Sequence, residues 1–136
     1  MGDDASGFFN FLIRYGQALG EGDLDVVSAC WETLAFVLAD EGARAVMEAS
    51  EIRDFFKAAT DWYHAQGLVA VSPELRRYER VSPRIVWLDV AWTSFDRDGA
   101  ARGGERSRYL IGEGEDGQWR IRVAVSAEGD AGSAAS

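Results

Sequence analysis

"RYGQALGEGDLDVVSACW", Arg14 to Trp31, sets a tyrosine on a helical apolar stripe, breaks at Gly-Glu-Gly-Asp, and resumes as a second amphipathic run. Upstream, Phe8, Phe11, Leu12, Tyr15 and Leu19 recur at steps of three and four, which is one face of an α-helix. Ser6 is the expected N-cap, and Gly20 and Gly22 are expected to stop the helix. Asp23 then caps a shorter helix that runs to Trp31. Tyr15 therefore lies on a core-facing stripe, where its hydroxyl needs either a buried partner or a cavity.

Downstream, "TLAFVLAD" alternates Leu34, Phe36 and Leu38 with Ala35, Val37 and Ala39, a strand pattern, and "DEGA" turns it into a short partner, "RAVME". "SEIRDFFKAATDWYHAQG" reads as a second long helix with Ser50 as its cap. Its expected buried stripe is Ile52, Phe55, Phe56, Ala59, Trp62 and Tyr63, and Gly67 ends it. From there to Ala127 the pattern is β, with turns at Ser82-Pro83, Asp98-Gly99 and Asp116-Gly117. Pro73 places its strand at an edge or a bulge. The order predicts an α+β fold, with the helices packed on one face of a curved antiparallel sheet.

The bulk composition narrows function. A chain of 136 residues with 47% hydrophobic content, five Trp, four Tyr and seven Phe can fill a single core. A net charge of −9 argues against nucleic acid and against an anionic membrane surface. Cys30 is the sole cysteine and His64 the sole histidine, so neither a disulfide nor a thiolate–imidazole zinc site is expected, and no cofactor is implied. Cys30 is read as a buried, inert thiol, and His64, about 120° from the helical stripe, as solvated. Gly2 and Ser6 fit a myristoylation pattern, yet Asp3 and Asp4 and the missing polybasic partner favour a disordered start. With no signal-peptide pattern, a reduced, cytoplasmic protein is expected, its domain spanning residues 6–127 between disordered tails at 1–5 and 128–136.

Two motifs are decoys. "GEGEDG", Gly112–Gly117, satisfies the dinucleotide spacing, but a strand follows it where a helix is needed. "SFDRDGAARGGE", Ser94–Glu105, has calcium-loop spacing, but its flanks alternate like strands. Both read as hairpin turns. If their strands pair as a hairpin, Arg106, Arg108, Arg120 and Arg122 form a strip opposite Tyr109, Ile111, Trp119, Ile121 and Val123. It is suited to cross-strand pairing with acids or to a subunit interface.

"YGQALGEGDLDVVSACW", "SEIRDFF" and "GQWRIRVAV" resemble the nuclear-transport-factor-2-like superfamily, with its SnoaL-like cyclases and ketosteroid-isomerase-like members. The resemblance runs from about Phe8 to Ala127 and implies a cone of curved sheet wrapped round helices, open at one end and commonly dimeric. It implies a hydroxyl donor at Tyr15. Without gaps, the family's general-base position falls on Ala39, leaving Asp40 as a candidate one residue on, and no acid stands at the oxyanion position near Ser107 and Tyr109. Trp31, Phe56, Tyr63, Trp92, Tyr109 and Trp119 are expected to line a pocket for a small apolar molecule. Isomerase- or cyclase-like proton transfer is the reaction class if there is one. The alternative is a non-catalytic dimerisation module whose cone is filled with side chains.

Overall fold

The structure, a computed structural model, describes residues 3–126. Its elements in order are α1 (Asp3–Glu21), α2 (Leu24–Ala29), β1 (Trp31–Ala39), β2 (Gly42–Val46), α3 (Ala49–Ala65), β3 (Leu68–Ser82), β4 (Ile85–Asp96), β5 (Ala101–Glu113) and β6 (Trp119–Ser126). One six-stranded sheet has the order β2-β1-β6-β5-β4-β3. It is curved and unclosed, and antiparallel except where β1 runs parallel to β6. The element order is as the sequence predicts, although α2 ends at Ala29 and Trp31, expected at the end of that helix, opens β1; the parallel pair was not anticipated. Among the described residues no helix is long and apolar enough to cross a membrane.

α1 buries Phe8, Phe11, Leu12, Tyr15 and Ala18, each at most 7% exposed, against the inner face of the sheet. It starts three residues before Ser6, so Ser6 lies inside the helix rather than capping it, and Asp3–Ala5 form its first turn. Gly20 is also inside α1. A Cβ there would meet the Ala70 Cα at 3.1 Å, and one at Gly16 would meet the Trp92 ring at 2.8 Å. These two glycines, one turn apart, let the helix lie directly on β3 and β4. Gly22, at φ 75°, is the residue that turns the chain out of the helix. Asp23 then caps α2 by accepting from the Val26 amide at 3.3 Å, as expected.

β1 differs in parity from its bulky pattern. Trp31 and Ala35 are buried, whereas Leu34 and Phe36 are 48% and 41% exposed. Large side chains therefore face outward, and the small Ala35 sits over the core. The cap of α3 is shifted too: Glu48 precedes the helix, and the Glu51 carboxylate accepts from the Met47 and Glu48 amides at 2.6 and 2.9 Å. Ser50 is one residue inside. The inward stripe consists of the buried Ile52 and Thr60 with the half-buried Phe56, Ala59, Tyr63 and His64, while Phe55 and Trp62 are 51% and 59% exposed. Pro73 lies on β3, an edge strand, as its ring requires.

Both decoy loops are hairpin turns. Asp96 accepts from the Asp98 and Ala100 amides and pairs with Arg102, which closes the β4–β5 turn. Gly117, at φ 80°, turns β5 into β6. On the outer face, Arg106 bonds both oxygens of the buried Asp89 across the β5–β4 pair. Arg120 pairs with Asp116, and Arg122 lies 3.8 Å from Glu32. Arg108 has no carboxylate partner among the described residues. Cys30 is buried, with the Arg14 guanidinium 3.9 Å from its sulfur. The Gly2 site and the tail at 128–136 lie outside the described residues.

Candidate functional site

A cavity of about 280 Å³ opens between α1, α3 and the inner face of the sheet. That is just below the usual range of small-molecule pockets. Of the aromatics expected to line it, Trp31, Phe56, Tyr63, Trp92 and Tyr109 do so. Trp119 does not: its ring packs edge-on against Phe8 at 5.4 Å, at the other end of α1. Asp40 also lies outside the cavity, exposed in the turn between β1 and β2. It shares the outward parity of Leu34 and Phe36, so continuing the strand's register keeps it away from the inner face.

Tyr15 is placed by α1 at the closed end. Its ring centroid is 6.2 Å from those of Trp92 and Tyr109 and 6.4 Å from that of Phe56, edge to face in each case. Its hydroxyl accepts from the Trp31 indole N–H at 3.1 Å. Beside it the same arrangement recurs, with the Trp92 indole donating to the Tyr109 hydroxyl at 2.9 Å. Burial pushes both phenols up, Tyr109 to about 12 and Tyr15 well above its ordinary value. Both therefore stay protonated near neutrality and keep a proton to donate, while an indole occupies one acceptor position of each oxygen.

β5 supplies a polar ladder. Glu105, Ser107 and Tyr109 alternate along one face and all line the cavity, as period two demands. Ser107 beside Tyr109 works against the upward push on that phenol, and the Glu105 charge adds to the push on both tyrosines. At the open end the Tyr63 hydroxyl donates to Glu105 at 3.0 Å. Glu105 was hidden in sequence by its place at the end of a calcium-loop pattern. The inward parity of Tyr109 was the signal that could have found it.

His64, expected in solvent, is half-buried in the cavity wall, with Nε2 3.0 Å from the Gly20 carbonyl oxygen. The true stripe of α3 is shifted toward Thr60 and His64 because α1 covers that side. Arg44 and Glu51 complete the charged groups of the wall. Among the described residues there is no group of three or more His, Cys, Asp or Glu side chains that could hold a metal ion.

No protein of curated function matches the chain. Solved structures share its fold. One from Nostoc punctiforme, a domain of unknown function with a cystatin-like fold, is 18% identical, with a TM-score of 0.73 over 94% of this chain and 78% of that one. An NTF-2 like protein of unknown function from Shewanella oneidensis is 13% identical, with a TM-score of 0.68 over 90% of this chain and 98% of that one. A ketosteroid isomerase-like protein from Erwinia carotovora atroseptica is 14% identical, with a TM-score of 0.62 over 85% of this chain and 88% of that one. At these identities the likeness is one of fold. Residues 5–129 match a family profile described as NTF2-like protein (DUF6841), and the chain belongs to that family.

Proposed function

We propose that this protein binds a small, mainly apolar molecule with its hydrogen-bond acceptor, such as a ketone oxygen, directed at Tyr15 and Tyr109. The observation that carries this reading is the pair of buried hydroxyls, each fixed by an indole N–H at the closed end of a cavity. Two fixed donors in an aromatic, water-poor site polarise a carbonyl without reorganising. Open space of about 280 Å³ weighs against a cone filled with side chains. Proton transfer needs a base as well as donors. Asp40 lies outside the cavity, and the Glu105 carboxylate on its wall sits at the exposed end, four residues along β5 from Tyr109, so binding is better supported than isomerase- or cyclase-like turnover.

The test is native mass spectrometry of purified protein, followed by titration with aryl ketones. Retained ligand or ketone binding that weakens at least threefold in Tyr109→Phe supports the reading. Equal binding by wild type and variant, or none at all, overturns it.

Association as a homodimer through the outer sheet face is a separate proposal. Leu34 and Phe36 are exposed there, and Arg108 stands without a carboxylate partner among the described residues. Arginine and large apolar groups together suit an interface. Phe36→Glu with Arg108→Glu should shift sedimentation at micromolar concentration from dimer to monomer; a monomeric wild type refutes it.

A further inference from the structure

From the Glu105 carboxylate at the open end of the cavity, set among aromatic rings, we propose that the ligand is cationic, an amine whose ammonium group pairs with Glu105 while its acceptor meets the tyrosine hydroxyls. This rests on the pocket reading above and adds the ligand's charge and orientation.

Three observations converge. First, the carboxylates on the cavity wall differ in what they are committed to. Glu51 accepts from two backbone amides at the start of α3 through one oxygen. Glu105 accepts from Tyr63 through Oε2, and among the described residues it pairs with no cation. Neighbouring arginines are committed elsewhere: Arg102 to Asp96 and Arg106 to Asp89. A carboxylate can take several donors, so Glu105 has acceptor capacity directed at the opening.

Second, the field inside the cavity is negative. Glu105 acts on both Tyr15 and Tyr109, so its charge is felt at the closed end. Glu51 and Glu105 outnumber Arg44, whose charge bears on Glu51. The chain's net charge of −9 draws cations towards it from a distance. An anionic ligand would meet repulsion at both stages.

Third, the wall itself suits an ammonium. Phe55, Phe56, Tyr63, Trp31 and Trp92 all line the cavity. Aromatic faces attract a cation within about 6 Å, most strongly once it is desolvated. Tyr109 and Glu105 are four residues apart on one face of β5, about 13 Å of strand. A ligand with an aryl body, an acceptor at one end and a short aminoalkyl tail spans that distance once the side chains have reached inward.

The test uses three probes with one body: 4-(2-aminoethyl)acetophenone, neutral 4-propylacetophenone, and 3-(4-acetylphenyl)propionate. Calorimetric titration of the full chain at low salt should rank amine over neutral ketone over carboxylate, with about a three- to tenfold advantage for the amine. Added salt should shrink that advantage. Glu105→Gln, which keeps a group able to accept from Tyr63, should bring the amine down to the neutral ketone and leave the ketone unchanged. Should the neutral ketone bind as tightly as the amine, or the amine keep its advantage in Glu105→Gln, the inference fails and the pocket reading stands. If no probe binds, both fail.

Discussion

Replacing Tyr15 with phenylalanine removes one oxygen and keeps the ring in its packing against Phe11, Phe56, Trp92 and Tyr109. What changes is Trp31, whose indole N–H donates to that oxygen and whose residue is only 5% exposed. A buried donor that loses its partner costs about 1–3 kcal/mol, and a water reaching it through the cavity would bring the loss to the lower end. With a urea m-value of about 1–3 kcal/mol/M, a 2 kcal/mol loss moves the midpoint by roughly 1 M. The measurement is a denaturant melt of wild type, Tyr15→Phe, Trp31→Phe and the double variant. Trp31→Phe has its own cost from lost volume, but the cycle isolates the bond, and the coupling should be about 0.5–3 kcal/mol. A loss below about 0.5 kcal/mol with additive single variants would show that the hydroxyl–indole bond does not hold this end of the cavity together.

Gly20→Ala improves helix propensity, yet its Cβ would press on β3 backbone at 3.1 Å, so a net loss of about 1–3 kcal/mol is expected in the same melts; a stabilised variant would show that α1 is free to lift. Asp89→Asn strips the counter-charge from Arg106 and from Arg77, 3.8 Å away, and should cost about 1–3 kcal/mol, less than a fully enclosed pair because Arg77 is largely in solvent. In alkali, unfolded tyrosines ionise near pH 10 while Tyr109 holds its proton to about 12 and burial likewise raises Tyr15 well above its ordinary value. The unfolded state therefore loses protons first, and stability, intact below pH 10, should fall as pH rises through 10 towards 12. Absorbance titration of the phenolates should show these two tyrosines ionising late.

The element order was legible because helix and strand periods are printed in the chain, from Phe8 to Leu19 and again across Ile85–Asp96. What misled was side-chain bulk standing in for direction. In β1 Leu34 and Phe36 face out, while Trp31 and the small Ala35 face the core. Asp40 was a candidate only because it follows the position the family resemblance implies, and it is the parity of the strand that removes it. Gly20 was read as a stop because a glycine in a helix suggests an ending; its role depends on β3 backbone fifty residues away. Glu105 and His64 were missed for a related reason: each became a cavity residue only through an element distant in sequence.

β3 is one of the sheet's two edge strands, β2 being the other, and at 15 residues it is the longest strand of the sheet. A strand of that length with open amides and carbonyls is a template on which another copy could add without limit. Along it stand Pro73, which offers no amide, then Glu74, Arg76, Arg77, Glu79 and Arg80. A second copy laid against this edge would find a missing donor and a dense run of charges to accommodate. Self-association by this route is discouraged, so the charges along this edge guard the protein against open-ended strand addition.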